Sequence, residues 1–267
     1  TEESVTVRGQ PDPVLLEPVA QARLRDPLPG LELTGENNGT ELPLVPVDMG
    51  ATCVNIDTDW FADAGIAEPQ TFDDLVDPTY RDLTVLLDPT ASSTGASFMI
   101  ATVAAFGEDG FADYWKALDD NGARTVQGWS EAYSGEFTGA SDTGTRPIVV
   151  SYSTSPAFTV NEEGTASSTR ALLDTCSTQI EYAGVLAGAS NPEGARAVVE
   201  YLLSTEFQAA IADEMYMYPV DDSVALPEAW AQFAPMPSDT QTHDLGSAEI
   251  QAGLQGWLRT LGDAVGL

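Results

Sequence analysis

The sequence has very little positive charge, and this scarcity excludes several kinds of function. Its 267 residues include a single lysine, Lys116, and nine scattered arginines against 42 acidic side chains, so the formal net charge is −32. Nucleic-acid binding requires clustered Lys and Arg side chains that neutralise phosphates, and an anionic membrane surface repels a chain of this charge. We therefore expect no nucleic-acid partner. The acidic composition fits a soluble protein in a salty extracellular setting, or one that attracts a cationic ligand.

The signatures of common enzymes and of membrane spans are also missing. The only histidine, His243, lies in a polar segment, and one histidine without further ligands does not make a zinc cluster. The sequence contains neither a Gly-x-Ser-x-Gly elbow nor a Gly-x4-Gly-Lys loop for phosphates. It also lacks a run of about 18 apolar residues, the length that spans a bilayer. We therefore expect no catalytic residues, no metal and no cofactor.

Cysteine is rare as well, with only Cys53 and Cys176, 123 positions apart. This spacing matches neither a metal-ligand pattern nor a Cys-x-x-Cys redox motif. In an exported protein such a pair is most simply a disulfide, and closing a loop of this length stabilises a fold by roughly 4–5 kcal/mol in the chain-entropy model. The alternative is two separate buried thiols, and the sequence leaves both open.

Short apolar runs alternate with helical patterns, which is typical of an α/β protein. The predicted strands are 5–7, 44–48, 51–56, 84–87, 147–152 and 180–186. The predicted helices cover 15–24, the segments that follow Thr71, Ser92 and Asn191, 109–120 and 250–261. Strands interleaved with helices and several long excursions fit two α/β lobes with a ligand crevice at the strand ends.

Two local features indicate ligand binding. A turn of hydroxyl residues and glycine, 92–95, opens a helix, and free N–H groups at a helix start form an anion site. Ordinary capping by Ser93 or Thr94 is the structural alternative for this turn. Several aromatic residues also lie among Ser, Thr, Glu and Pro, namely Trp129, Tyr133, Tyr152, Tyr216 and Tyr218. Such rings stack on flat heteroaromatic ligands, with about 0.5–2 kcal/mol of cation–π attraction for a cationic ring, although each alone is equally compatible with a structural role.

Five segments of the chain resemble periplasmic thiamine-binding proteins, the solute receptors of ABC importers for thiamine and its phosphates. In the order of that family they are Val45-Pro46-Val47-Asp48-Met49-Gly50, Asp88-Pro89 with its Ser/Thr turn, Gly128-Trp129-Ser130-Glu131-Ala132-Tyr133, Ser151-Tyr152-Ser153-Thr154-Ser155-Pro156-Ala157 and Met217-Tyr218-Pro219-Val220. The third and fourth segments are fairly specific, whereas the first two are widely shared among related receptors. The resemblance runs from about residue 41 to the C-terminus.

The resemblance implies a two-lobed type II periplasmic-binding-protein fold that closes on its ligand about a hinge. Lobe 1 is expected to comprise residues 1–53 and 184–225, and lobe 2 residues 54–183 and 226–267. The family's first strand and the two loops after it, which contribute to its ligand site, have no counterpart here. Lobe 1 is therefore expected to lack its N-terminal segment in this sequence and to have it in the full-length protein.

The resemblance also implies a set of ligand-binding residues. They are Asp48, Ser92, Ser93, Thr94, Gly95, Trp129, Tyr152, Phe158 and Tyr216. Ser92 would hold the phosphate end of a phosphorylated ligand. Phe158 and Tyr216 stand where the family has a tyrosine and a tryptophan, so both keep a ring for stacking while Phe158 lacks the hydroxyl.

We therefore expect a monomeric, extracytoplasmic solute-binding protein that captures thiamine or a thiamine phosphate and presents it to an ABC permease. Its location is expected to be periplasmic or extracellular, with a lipid anchor on the missing N-terminus as an open alternative. A polyamine or ferric-ion receptor of the same fold is one alternative function. A thiamine-degrading enzyme with Cys53 as nucleophile is another, and a disulfide at Cys53 would exclude it.

Overall fold

The computed structural model of the protein describes residues 45–186, 189–238 and 240–267 and the backbone of residues 4–8. By their internal contacts the residues divide into two units. Unit 1 is Thr1–Gly50, Gln179–Pro227 and Gly246–Ala252, and unit 2 is Ala51–Thr178, Glu228–Leu245 and Gly253–Leu267. Residues 246–252 thus group with unit 1, whereas the sequence analysis assigns all of 226–267 to one lobe. The lobe ranges themselves stay a prediction, and the helix predicted at 15–24 lies outside the described residues.

Strands and helices alternate along the chain, which confirms the α/β class. The strands are β1 (Ser4–Arg8), β2 (Val45–Asp57), β3 (Thr84–Leu87), β4 (Arg124–Val126), β5 (Ile148–Tyr152), β6 (Thr169–Val185) and β7 (Tyr218–Pro219). The helices are α1 (Thr58–Ala64), α2 (Phe72–Leu75), α3 (Ser93–Phe106), α4 (Phe111–Asp120), α5 (Trp129–Glu131), α6 (Pro192–Leu202), α7 (Thr205–Met215), α8 (Glu228–Phe233) and α9 (Ser247–Val265). No helix in the described part of the chain is long and apolar enough to cross a membrane.

Unit 1 contains antiparallel strand pairs covered by a helix. β1 pairs with the end of β6, and Asp48 on β2 lies opposite Pro219 on β7. Alternate β2 residues Val45 and Val47 bury their side chains with Val185 and with Val199 of α6. Pro46 and Asp48, which point to the other side of the strand, are buried as well, so both faces of this part of β2 are covered. The helix begins as predicted, because the Asn191 side chain accepts a hydrogen bond from the Gly194 N–H at 3.0 Å.

Unit 2 is built on β3, which runs parallel to both β4 and β5, while β5 pairs antiparallel with β2. All four residues of β3 are buried, as expected for a parallel strand covered on both faces. A disulfide joins β2 to β6. It links Cys53 and Cys176, whose sulfur atoms are 2.00 Å apart. The predicted bridge is therefore confirmed, and the alternative of two separate buried thiols is wrong. Both sulfurs are buried with Ala51 and Ala171, so Cys53 offers no thiol for nucleophilic chemistry.

Two strand predictions need correction. The two strands predicted at 44–48 and 51–56 are one strand from Val45 on, because Met49 stays extended and pairs with Tyr218; residue 44 lies outside the described residues. The strand predicted at 180–186 begins much earlier, at Thr169. Its first half carries polar residues that the structure buries, among them Thr175, whose hydroxyl accepts the Val54 N–H at 2.9 Å.

Candidate ligand-binding site

The turn at residues 92–95 is a helix start with its own structural needs. Ser92 is the N-cap of α3, in an extended conformation, and its hydroxyl accepts the Gly95 N–H at 3.3 Å. The predicted capping by Ser93 or Thr94 is therefore wrong by one or two residues. Gly95 is required by packing, because a Cβ at this position would lie 2.6 Å from the Leu87 carbonyl oxygen. Ser93 is partly exposed.

A carboxylate occupies the loop just before this helix. Asp88 accepts hydrogen bonds on one oxygen from the Thr90 N–H at 2.8 Å and the Thr90 hydroxyl at 2.6 Å. Its other oxygen accepts from the Gln127 side chain at 3.0 Å. Asp88 thus ties the end of β3 to the segment that precedes Trp129.

Tyr152 ends β5 and is held by α3. Its hydroxyl and that of Thr94 lie 2.9 Å apart, and the Asn55 side chain donates to the Tyr152 carbonyl at 3.1 Å. Thr94 is buried, so its hydroxyl is used to fix the phenol. The ring of Tyr152 keeps part of its surface exposed.

Trp129 opens the short helix α5, stacks on one tyrosine and has a second one nearby. Its ring stacks on Tyr133 with a centroid distance of 4.7 Å and an interplanar angle of 12°. The Tyr152 ring lies 6.2 Å away at 39°. The indole N–H donates to the Ser151 hydroxyl at 2.9 Å. One face and the only donor of the indole are therefore used within unit 2.

A pair of buried serines lies behind these rings. The Ser151 and Ser155 hydroxyls are 2.8 Å apart, and the Ser155 hydroxyl accepts the Tyr152 N–H at 3.3 Å. Burial raises the pKa of Tyr133 to about 12, with a smaller opposing effect of the neighbouring Ser155 hydroxyl. Sequence reasoning missed both serines as contributors to the site; the signal was their i, i+4 spacing around Tyr152.

The remaining predicted residues lie on other elements. Phe158 of unit 2 is 45 % exposed and meets Trp230 edge-on at 6.0 Å. Tyr216 of unit 1 ends α7 in the left-handed conformation, with φ of 61° and 51 % exposure. A left-handed backbone is unfavourable for a residue with a Cβ, and such positions often mark functional sites. Asp48, also of unit 1, is buried, as is Tyr218.

A pocket of about 550 Å³ occurs elsewhere in unit 2. The side chains around it include Gln70, Arg170, Asp174, Gln232 and Phe233. Arg170 is paired with Glu68 at 2.6 Å. None of the predicted ligand-binding residues lines this pocket.

Comparison with known proteins agrees with this architecture. Residues 26–251 match the family of bacterial extracellular solute-binding proteins, and the chain belongs to that family. It is 30 % identical over 225 residues to the thiamine-binding periplasmic protein of Escherichia coli (strain K12), a match that covers 84 % of this chain and 64 % of the relative. The chain thus spans just under two thirds of that relative's length.

Solved structures show the same fold. A periplasmic thiamin binding protein superposes with a TM-score of 0.77 at 27 % identity, over 97 % of this chain and 78 % of the other. A Bordetella ferric binding protein superposes with a TM-score of 0.69 at 20 % identity, over 99 % and 83 % of the two chains, which supports the fold alone. The resemblance to periplasmic thiamine-binding proteins and the periplasmic-binding-protein fold are therefore confirmed.

Proposed function

We propose that this protein is an extracytoplasmic receptor that captures thiamine or a thiamine phosphate for an ABC importer. The observation that carries the proposal is the ring cluster of unit 2, in which Trp129 stacks on Tyr133 and adjoins Tyr152. The likeness to thiamine-binding periplasmic proteins supports the choice of ligand.

The ring cluster is suited to a flat cation. Tyr133 covers one face of the Trp129 indole, and the Ser151 hydroxyl accepts the hydrogen bond of the indole N–H. Trp129 would therefore contact a ligand through its other π face. The faces of aromatic rings carry negative potential, and a thiazolium cation on Trp129 gains about 0.5–2 kcal/mol of cation–π attraction. The net charge of −32 attracts the same cation over longer distances.

The start of α3 supplies the donors for a phosphate. Its 14 residues are aligned in one helix, whose first N–H groups carry partial positive charge. The Ser92 and Thr94 hydroxyls already serve the cap and Tyr152, so we assign the phosphate mainly to the backbone N–H groups of this turn. Ser93, which is partly exposed, is proposed as a further contact. Phe158, Tyr216 and Asp48 complete the proposed ligand contacts.

The mode of action is binding and closure rather than catalysis. A receptor of this fold closes about a hinge when the ligand prefers the closed state, and the closed form is what we propose the permease recognises. The bridge between Cys53 and Cys176 argues against the thiamine-degrading chemistry that needs a free cysteine. We propose a monomer located in the periplasm or outside the cell, where disulfides persist, with a lipid anchor as an open alternative.

A ferric-ion receptor is the second candidate, favoured by the fold shared with the Bordetella protein. Iron capture in this setting would need adjacent tyrosine hydroxyls. The nearest such pair in sequence is Tyr216 and Tyr218, of which only Tyr216 is exposed. This difference in burial makes iron the weaker candidate, and a polyamine stays the other alternative within the same fold.

Calorimetric titration of the full-length protein with five ligands tests the function. Thiamine, its mono- and diphosphate, spermidine and ferric citrate are compared at equal concentrations and moderate salt. We expect a thiamine compound to bind with a Kd below about 1 μM, which corresponds to roughly −8 kcal/mol. Binding of spermidine or iron with no binding of any thiamine compound would overturn the proposal.

A further inference from the structure

The two buried serines behind the ring cluster form a continuous hydrogen-bonded line. The indole N–H of Trp129 donates to Ser151 at 2.9 Å, Ser151 and Ser155 are 2.8 Å apart, and the Tyr152 N–H donates to Ser155 at 3.3 Å. Both serines are buried. The line therefore joins the indole of Trp129 to the backbone of Tyr152.

The hydrogen bond to Ser151 fixes the position and rotation of the Trp129 indole within its plane, which stacking on Tyr133 leaves free. Contact with Tyr133 at 12° sets the plane of the indole, but a stacked ring can still slide and turn within that plane. A hydrogen bond from the one N–H of the indole to a buried hydroxyl removes this freedom, because the N–H has a preferred direction toward its acceptor. In a buried setting the bond is also stronger than in water.

Ser155 links the same arrangement to Tyr152. It accepts the backbone N–H of Tyr152 and contacts Ser151, so the backbone beneath Tyr152 and the edge of Trp129 share one anchor. The Tyr152 hydroxyl is held separately by Thr94 at 2.9 Å. Together these contacts set the centroid distance of 6.2 Å between the two rings.

We infer that Ser151 and Ser155 are positioning residues that hold Trp129 and Tyr152 in place before the ligand arrives. This inference rests on the proposed function, since it concerns the affinity of the same site. A preformed ring pair binds a flat ligand more tightly because less side-chain freedom is lost on binding. Neither serine needs to touch the ligand for this effect.

The test compares Ser151→Ala and Ser155→Ala with Ser153→Ala. Ser153 is a buried serine in the same segment whose hydroxyl has no hydrogen-bond partner among the described residues, so it controls for the loss of a buried hydroxyl. The first readout is the indole N–H resonance of Trp129 in a ¹H–¹⁵N spectrum of the ligand-free protein, assigned by its loss in Trp129→Phe. The second readout is the calorimetric Kd of the thiamine compound that binds best.

We expect Ser151→Ala to move the Trp129 indole resonance upfield and to weaken binding about three- to tenfold. Ser155→Ala should weaken binding in the same direction with a smaller indole shift, and Ser153→Ala should change neither readout. An unmoved indole resonance in Ser151→Ala, or an affinity no weaker than that of Ser153→Ala, overturns the inference while the proposed function stands. Absence of thiamine binding in the unmodified protein overturns the proposed function, and the positioning role with it. If Ser151→Ala does not fold, the comparison of Ser155→Ala with Ser153→Ala tests the inference. Weaker binding by Ser155→Ala supports the positioning role, and equal binding overturns it.

Discussion

Replacing Trp129 by alanine removes the central ring of the proposed site and tests the stacking argument directly. Three contributions disappear together in Trp129→Ala. These are the π face offered to the ligand, the stack on Tyr133 and the hydrogen bond to Ser151. Cation–π attraction of about 0.5–2 kcal/mol and stacking of the flat ligand on the indole, worth about 0.5–1.5 kcal/mol, together amount to about 1–3.5 kcal/mol of binding free energy. We therefore expect a loss of about 2 kcal/mol, which is more than tenfold in Kd.

The effect on stability should be smaller than the effect on binding. Trp129 is only partly buried, so its truncation should cost less than the 3–5 kcal/mol typical of a fully buried tryptophan. Trp60 is the matched control, because it is also partly exposed, belongs to unit 2 and meets Phe61 edge-on at 5.1 Å. Trp60→Ala removes an equal area of indole from a position outside the proposed site.

Calorimetry for the Kd and urea denaturation for the free energy of unfolding separate the two effects. We expect Trp129→Ala to bind the thiamine compound at least tenfold more weakly while Trp60→Ala keeps the unmodified affinity. Equal affinities of Trp129→Ala and the unmodified protein would refute the stacking argument and remove Trp129 from the site. Equal weakening in both variants would show a general loss of structure in place of a local contact.

Two further predictions concern stability. The double replacement Cys53→Ser and Cys176→Ser should lower the free energy of unfolding by roughly 4 kcal/mol, because it reopens a 123-residue loop in the unfolded chain; an unchanged midpoint in urea would contradict this. Tyr133 titrates near 10 when unfolded but at about 12 when folded, so the unfolded chain loses this proton first. The free energy of unfolding should therefore be flat below about pH 10 and fall between about pH 10 and 12, by up to about 1.4 kcal/mol per pH unit from this group. Tyr133→Phe should reduce that slope in denaturation curves at pH 9 and 11, and an unaltered slope would contradict the assignment.

Helix starts were predictable from the sequence because their causes are local. Asn191 caps the helix that follows it, and Asp74 accepts the Thr71 N–H at 3.0 Å. The start of α3 was predicted at the right turn, although its cap is Ser92 and not Ser93 or Thr94. A short polar side chain before an apolar periodic run is visible in any single sequence. The first half of the long strand β6 was not predictable in this way. Its polar residue Thr175 is buried because its hydroxyl accepts a hydrogen bond from Val54, 121 positions away.

The candidate site shows the same division between local and distant causes. Aromatic residues in polar surroundings predicted Trp129 and Tyr152, which are partly exposed and 6.2 Å apart. The same pattern also included Tyr133 and Tyr218, which are buried, because local composition does not show which side of a strand or helix faces inward. The role of Ser151 was hidden for another reason: its partner Trp129 precedes it by 22 positions.

The residues at the start of α3 are explained largely by the structure of the protein itself. Ser92 caps the helix, Thr94 holds Tyr152, and Gly95 admits the close approach of Leu87. These three residues thus have structural tasks that explain their identity without any ligand. An anion at this turn would therefore be bound chiefly by aligned backbone N–H groups, which any sequence with the same turn supplies. The rings proposed to bind the cation are the more specific part of the proposed site, because Trp129 and Tyr152 depend on particular partners at particular distances.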